Sequence, residues 1–583
     1  MVIGKQALHK RVGNVLKEAW RIAGPYWFSE EKWKGLGLLA IVIVLNLSQV
    51  ALNIRFNYWH NAFYNTLQNL DEAGFYHQIW LFCILATVWV VAGTSLEFFA
   101  RWFRITWRRW LTDWYLKRWL SHRAYYRLQL TGETDNPDQR IAEDVGFFVD
   151  RTFALTIDLM SKVVSLVSFL LILWTLAGPL TIPLGSFGTF TLPAYMVWLV
   201  LVYAIIGTLV AVKLGRPLVG LNFNQQRYEA DFRYSLVRLR EHTESVAFYG
   251  GEPIEFRTFR DRFASIFQNF IAIMWRTLKF GSFQFGFGQA SVIFPYLIQA
   301  PRFFARQIQL GDLTQTAGAF NNVLDSLSFV INAYESIAQW QAIIQRLASF
   351  ENRIEEIEAG ADNTGEVKLA HDGPEVAVDG LTIDLPNGRR LLTGVHFQAD
   401  PQHPLLITGR NGIGKSTVLR ALSGLWPFGQ GRVRLPEGRT FFVPQKPYLP
   451  LGSLRMALAY PEDGRHIADA TLQAALAKVG LNALEGELDT VDLWAQRLSV
   501  GEQQRLAFAR VLLAEPKVIF LDEATSALDE ASEAQFYRML REAPWRPTII
   551  SVGHRGTLRD LHERALDLSP FSGAPAAAAP AAS

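Results

Sequence analysis

Four stretches of the chain, near 36–54, 79–99, 155–176 and 193–212, are apolar almost throughout and each about 20 residues long. A run of that length matches the hydrocarbon core of a bilayer. Inside that core every backbone N–H and C=O must be paired within the segment, which predicts a membrane-spanning helix for each run. Half of the 583 residues are hydrophobic and only 19% are charged, below the roughly 25% of an average soluble chain. The C-terminal third nevertheless reads as ordinary soluble sequence, so the apolar excess belongs to the first part of the chain, and the length calls for more than one domain. A net charge of +3 is too small to predict a nucleic-acid partner. The single cysteine, Cys83, lies in an apolar run and excludes a disulfide framework or a Cys-based metal site within one chain.

Two further stretches, near 282–300 and 315–338, carry Gln, Asn, Asp and Glu and rate poorly by hydropathy. The loop charges make them spans. Lys and Arg favour the cytoplasmic side of a membrane, and they crowd the N-terminal stretch, the segment 101–153 (Arg101, Arg104, Arg108, Arg109) and the segment 213–281 (Lys213, Arg216, Arg233, Arg238). Of Lys and Arg, segment 55–77 holds only Arg55 and 301–314 just Arg302 and Arg306, while 177–191 holds no charge at all. Six spans return the C-terminal region to the cytoplasmic side. The two long inner segments have helical spacing and few turn signals, as expected for spans that continue into the cytosol.

Residues 1–34 alternate basic and apolar positions and place Trp20, Tyr26 and Trp27 before the first span, which predicts an amphipathic helix at the membrane surface. The apolar segment starts only near Gly35 and no small-residue cleavage site follows, so it is expected to stay as an anchor. The membrane domain is placed at 35–350, a charged linker at 351–375, a soluble domain at 376–569, and a disordered Ala/Pro tail at 570–583.

Within the soluble domain, Gly409-Arg410-Asn411-Gly412-Ile413-Gly414-Lys415-Ser416-Thr417 fits G-x-x-x-x-G-K-[ST] between the strand candidate Leu405–Ile407 and a helical run. That is the context of a phosphate-binding loop. Its glycines let backbone N–H groups close around phosphates at a helix N-terminus, Lys415 reaches the β- and γ-phosphates, and the Ser416 hydroxyl coordinates Mg²⁺. The apolar strand Val518–Leu521 ends in Asp522-Glu523, which puts two carboxylates at a strand's C-terminal edge, expected beside that loop in a parallel sheet. Asp522 is read as holding Mg²⁺ through water and Glu523 as the base that polarises the attacking water.

These residues, with others in the same order, resemble the ABC ATPase family. Leu498-Ser499-Val500-Gly501-Glu502-Gln503-Gln504-Arg505 is similar to its signature loop, with Val500 and Glu502 in place of the commoner Gly and Gln. Gln445 stands at the Q-loop position, where the family places a nucleotide and Mg²⁺ contact, Ser526-Ala527-Leu528-Asp529 matches the D-loop, and His554 matches the switch histidine, a γ-phosphate contact. The resemblance implies that the serine loop of one ATPase, here Ser499, Gly501 and Glu502, completes the phosphate site of another. One chain carries one of each, so a homodimer with two composite sites is the simplest closed arrangement, with a homologous half as the other possible partner. The aromatic residue that the family stacks on adenine is missing from Leu381–Pro386, which implies an aliphatic grip on the base.

The membrane half adds Pro25-Tyr26-Trp27, Asn136-Pro137-Asp138-Gln139-Arg140-Ile141 and the run Phe232–Arg240 through Gly250-Gly251-Glu252. Together with Gly424-Leu425-Trp426-Pro427 and Pro447-Tyr448-Leu449-Pro450, these resemble the SbmA/BacA/YddA group, which is related to the peroxisomal fatty-acyl transporters of ABC subfamily D. The implied fold is an all-α, six-helix exporter-type membrane domain fused to an α/β P-loop ATPase domain, with ATP and Mg²⁺ as cofactors. Asp138, Arg140 and Arg233 fall in its implied cytosolic coupling regions. On the sixth span, Asn321, Asp325, Ser328, Asn332, Glu335 and Gln339 recur at steps of four and three and share one helix face; Gln284, Gln289 and Gln299 on the fifth point the same way. A polar face at membrane depth meets other protein or a wet cavity. The expectation is therefore an ATP-driven transporter in the bacterial inner membrane that takes up hydrophilic or amphipathic solutes such as peptides or cobalamin-like compounds. Fatty acyl thioester or lipid transport is the second reading, and an ATP-gated channel or regulator a third.

Overall fold

Apolar runs of one bilayer's length become helices that continue well past it, because the flanking residues keep helical spacing without turn signals. The computed structural model describes residues 5–131, 136–183, 189–360 and 367–573, and the chain divides after Glu358 into two compact units. Residues 574–583, most of the expected tail, lie outside the described ones.

In the first unit, α1 (Lys5–Trp27), α2 (Lys32–Gln68), α3 (Glu72–Leu120), α4 (Ala124–Thr131), α5 (Pro137–Gln139) and α6 (Val145–Ala177) precede a two-stranded hairpin of β1 (Leu180–Pro183) and β2 (Thr189–Leu192). Then follow α7 (Tyr195–Glu241), α8 (Thr243–Tyr249), α9 (Glu252–Phe304), α10 (Leu310–Asn332) and α11 (Tyr334–Gly360). Asp71 opens the 49-residue α3 by accepting the Gly74 N–H, and Lys117 and Arg118 close it, each complementing the helix dipole. Among the described residues, the regions of α2, α3, α6 and α7 are long and apolar enough to cross a membrane. Trp80, Trp89 and Val91 on α3 and Ile205, Ile206 and Leu209 on α7 point outward, as lipid-facing side chains do. Helices α9 and α10 fall short on hydropathy and are held in the bundle by packing, α9 along α7 and α10 against α2, α6, α7 and α9.

Polar contacts explain why α10 can be less apolar. Asn61 donates to Asp312 Oδ1 at 2.9 Å and Gln315 Oε1 at 2.7 Å, Asn57 donates to the Gln315 carbonyl at 3.0 Å, and Asn65 accepts the Gly311 N–H at 2.8 Å. A side chain on Gly311 would collide with the Asn61 carbonyl, so glycine there permits the close approach. Helix α1 is tied into the protein: Ile22, Ala23 and Tyr26 are buried against Phe103, Trp107 and Tyr115 of α3 and Leu347 and Phe350 of α11, while Leu16 and Trp20 stay exposed on the outer side.

Among its described residues the second unit holds two main sheets and one short two-stranded ribbon. The strands β3 (Lys368–Gly373), β4 (Val376–Asp384) and β5 (Arg390–Ala399) join the later β7 in a four-stranded sheet. After them come β6 (Leu405–Thr408), α12 (Lys415–Leu422), β7 (Gly429–Pro436), β8 (Thr440–Val443), β9 (Gly452–Ser453), α13 (Leu454–Ala459), α14 (Asp469–Lys478), β10 (Val491–Asp492), α15 (Trp494–Arg497) and α16 (Val500–Ala514). The chain closes with β11 (Val518–Asp522), α17 (Glu530–Arg541), β12 (Thr548–Val552), α18 (Thr557–Asp560) and β13 (Arg564–Asp567). The five-stranded parallel sheet runs β13-β6-β12-β11-β8. Every residue of β11 and β12 is buried, as expected of a parallel sheet covered on both faces. The phosphate-loop strand β6 and the carboxylate strand β11 are separated by β12, yet Asp522 still reaches Ser416 beside the loop.

Candidate nucleotide site and membrane cavity

Four adjacent parallel strands each deliver one motif at their C-terminal ends, where open α/β sheets bind ligands. In sheet order, β6 leads into the phosphate loop, β12 into His554, β11 into Asp522 and Glu523, and β8 into Gln445. The loop needs its glycines: Gly409, Gly412 and Gly414 have φ of 140°, 78° and 111°, a region that L side chains rarely adopt. Arg410, Asn411 and Gly412 form its exposed crest, and Thr417 lies half-buried in the first turn of α12. The Lys415 Nζ donates to the Gly409 carbonyl at 2.8 Å. Burial pushes the Lys415 ammonium below its ordinary pKa, against the opposing pull of Glu523 and Asp522. Ser416 donates its hydroxyl to Asp522 Oδ1 at 2.9 Å across the intervening strand. Burial raises the Asp522 pKa, opposed by that hydrogen bond and by Arg420.

Glu523 is the point where the remaining residues converge. Gln445 Nε2 donates to its Oε2 at 2.9 Å, and His554 Nε2 lies 3.0 Å from its Oε1. Its backbone sits at φ 50°, a left-handed conformation that costs on the order of 1 kcal/mol for a non-glycine residue and is pinned by its N–H donating to the Val552 carbonyl at 2.9 Å. The oxygen atoms of Ser416 and Asp522 are hard donors of the kind Mg²⁺ takes. With two such oxygens from the protein, Mg²⁺ would draw its other ligands from phosphate oxygens and water.

The signature loop stands apart from this group. Ser499 caps α16, with its backbone N–H and hydroxyl donating to Glu502 Oε2 at 2.9 and 2.8 Å. These hydrogen bonds hold the Glu502 carboxyl below its ordinary pKa. Among the described residues, no hydrogen bond links Ser499, Gly501 or Glu502 to the phosphate loop. Gly501 lets the D-loop approach, since a Cβ there would lie 3.1 Å from the Ala527 carbonyl. The motifs gave no role to Leu391, whose side chain reaches the Cβ position of Gly414 and supplies an aliphatic surface at the loop.

In the membrane unit, Asn321, Asp325 and Ser328 line a cavity of about 290 Å³ with Gln284 and Ser291 of α9. Its other walls are Phe280, Phe283, Phe287, Leu324 and small residues of α7. Tyr203 donates to the Phe287 carbonyl at 2.7 Å, and glycine at 207 makes room for the Phe287 ring. Much of the polar face is met by α6 instead. Lys162 pairs with Asp325, and Arg151 donates to Ser336 Oγ at 3.0 Å and Gln339 Oε1 at 2.7 Å, with Glu335 accepting from Gln339 at 3.1 Å. Gln299 is buried and Gln289 exposed; the side chain of Asn332 is outside the described ones. Asp138 and Arg233 are exposed, whereas Arg140 is buried and donates to Asp144 Oδ2 at 2.7 Å. Arg346 of α11 also binds Asp144, at 2.9 and 2.6 Å. Arg140 therefore holds the turn into α6.

Comparisons with known proteins agree with this layout. Residues 25–304 match the family described as ABC transporter transmembrane region 2, and 392–526 match that described as ABC transporter. The chain is 33% identical to ABC transporter D family member 2, chloroplastic, of Arabidopsis thaliana over 95% of this chain and 86% of that one. It is 32% identical to the inner membrane ABC transporter ATP-binding protein YddA of Escherichia coli over 94% of this chain and 96% of that one. A solved bacterial Atm1-family ABC exporter with ATP bound has the same fold, with a TM-score of 0.68 at 19% identity over 93% of this chain and 94% of its own.

Proposed function

Since the chain belongs to the ABC transporters, as a membrane permease fused to its ATPase, we propose that two copies work together to move an amphiphile with an acyl-type tail across the bacterial inner membrane. That the protein is a multi-pass membrane transporter with a cytoplasmic, ATP-hydrolysing domain follows from the family itself. The cargo reading rests on the cavity between α7, α9 and α10. Its three phenylalanines and its leucine suit an apolar chain, and Gln284, Asn321, Asp325 and Ser328 suit a polar head. A peptide or cobalamin-like solute, the first expectation from the polar sixth helix, fits less well, because part of that polar face is consumed by Arg151 and Lys162. The resemblance to the fatty-acyl transporters of subfamily D supports the acyl reading, and the identity with a D family member agrees with that resemblance.

In the ATPase we assign Lys415 and the backbone of Gly409, Gly412 and Gly414 to the phosphates, and Ser416 and Asp522, with Gln445, to Mg²⁺, which supplies charge neutralisation at the phosphates. Glu523 orients and deprotonates the attacking water, and His554 and Gln445 hold that carboxylate in place until substrate arrives. Ser499, Gly501 and Glu502 face the partner's nucleotide in the dimer. The test is reconstitution in proteoliposomes with a labelled acyl thioester, a labelled peptide and cobalamin in parallel. Saturable, ATP-dependent flux and ATPase stimulation by the thioester are expected. Flux of the peptide or cobalamin alone, or a conductance without concentrative flux, overturns the cargo reading.

A further inference from the structure

The D-loop, Ser526 to Asp529, is gripped from two sides by side chains to which no motif gives a role. From one side comes Gln504, on α16 within the signature sequence and fully buried. Its Nε2 donates to the Gln445 carbonyl at 3.1 Å and to Ser526 Oγ at 3.2 Å, and its Oε1 accepts the Ala527 N–H at 3.0 Å. From the other side comes Arg555, the residue after His554. Its Nη1 donates to the Leu528 carbonyl and its Nη2 to the Ser526 carbonyl, both at 2.7 Å. Below them Glu533, also fully buried, accepts the hydroxyls of Thr525 and Thr557 at 2.6 Å each, which fixes the floor of the loop.

A buried amide must find hydrogen-bond partners. Gln504 divides its own between the Q-loop and the D-loop while riding on the signature helix. Arg555 ties the D-loop to the switch histidine in the same way. The side chains of Gln445 and His554 meet at Glu523, so both ends of the grip begin at groups that the proposed function sets at the nucleotide. A shift of about 1 Å in either loop exceeds what hydrogen bonds near 3 Å tolerate, so the D-loop must follow or the bonds break.

We propose that Gln504 and Arg555 are positioning residues that transmit the state of the nucleotide at one phosphate loop to the D-loop, and through it to the site shared with the second copy. The inference rests on the two-copy reading above. It gives the ATPase cooperative turnover through a defined set of bonds.

The experiment uses the full-length protein in lipid nanodiscs, carrying Gln504→Met, which keeps the volume and removes all three bonds, Arg555→Met, and both together. Mass photometry reports assembly, a fluorescent ATP analogue reports affinity, and initial rates against ATP report turnover and the Hill coefficient. The expected result is ATP affinity within roughly threefold of the parent, turnover down about tenfold or more, and a Hill coefficient that falls toward one. The double variant should be little worse than either single one, because the grip acts as a unit. If Gln504→Met fails to fold, Ser526→Ala removes only one acceptor and should move the Hill coefficient in the same direction. A dimeric variant that keeps the parent's turnover and Hill coefficient overturns the grip alone. Loss of ATP affinity in step with thermal stability also overturns it, as a purely structural role. A parent protein that hydrolyses ATP as a monomer overturns the two-copy reading and the inference with it.

Discussion

The ATPase and the membrane unit both gather polar side chains, by opposite means. In the ATPase, four neighbouring parallel strands each end in one or two functional residues, and the sheet itself brings Ser416, Asp522, Glu523, Gln445 and His554 together. In the membrane unit, polar residues lie along helix faces and are answered from other helices, as Lys162 answers Asp325 and Asn61 answers Gln315. A strand end needs no partner to point at the site. A helix face can be a cavity wall or a seam, and only the neighbouring helix decides which.

That contrast is tested most severely at Glu523. If the strand ends form one catalytic group, Glu523→Gln should keep ATP affinity while turnover falls by roughly 10²-fold or more, measured by phosphate release and by equilibrium binding of a labelled nucleotide. Undiminished hydrolysis would remove Glu523 from the reaction and leave the convergence of Gln445 and His554 on it without a catalytic meaning.

On the membrane side, the pair Lys162 and Asp325 decides between seam and wall. Lys162→Met leaves a carboxylate unpaired at membrane depth and should lower stability by roughly 2–3 kcal/mol, read by thermal unfolding in detergent. Adding Asp325→Leu should recover most of it if the two form a seam. If Asp325→Leu by itself leaves stability unchanged and abolishes cargo-stimulated ATPase, the carboxylate belongs to the cavity.

A third test concerns the joint of α1, α3 and α11 on the cytosolic side. Glu351 is buried there between Arg21 at 3.5 Å and Arg118 at 3.4 Å. Burial, only partly offset by the two guanidinium groups, pushes its pKa up from 4.5 to about 7. The folded state thus holds this proton more tightly than the unfolded chain. The contribution of Glu351 to stability is fully present below pH 4.5 and is lost as pH rises through about 7. Between pH 6 and pH 8 the loss should be roughly 1 kcal/mol, seen as a falling Tm. Glu351→Gln should flatten that dependence, and a Tm that rises across the same range would contradict it.

How far the sequence reaches follows from the same contrast. The phosphate loop, Asp522, Glu523, Gln445 and His554 are legible because each is a contiguous motif on one strand end. That β12 separates β6 from β11 is not, because strand order is set by packing between segments far apart in the chain. Four spans are legible as apolar runs, whereas α9 and α10 emerge only from the balance of loop charges. The period of α10 shows Asn321 and Asp325 on one face, but Lys162 sits within an apolar run on α6 and gives no sign of being their partner. Gln504 and Arg555 lie inside recognised motifs and still pass unnoticed, because most of their partners are backbone groups that sequence does not distinguish.

The smallest effect is expected at the turn before α6, where two residues that look alike in sequence separate in the structure. Arg140 is buried on Asp144, whose carboxyl would be raised by burial but is held below its ordinary pKa by Arg346 and Arg140. Asp138 is exposed two residues earlier. Arg140→Gln should therefore cost about 1 kcal/mol in stability and reduce transport and hydrolysis in parallel with the yield of folded protein. Asp138→Asn should leave stability within about 0.5 kcal/mol and lower transport relative to ATP hydrolysed, measured as their ratio in the same proteoliposomes. An unchanged ratio for Asp138→Asn would make the turn a scaffold and leave Arg233, on α7, as the remaining exposed candidate for coupling.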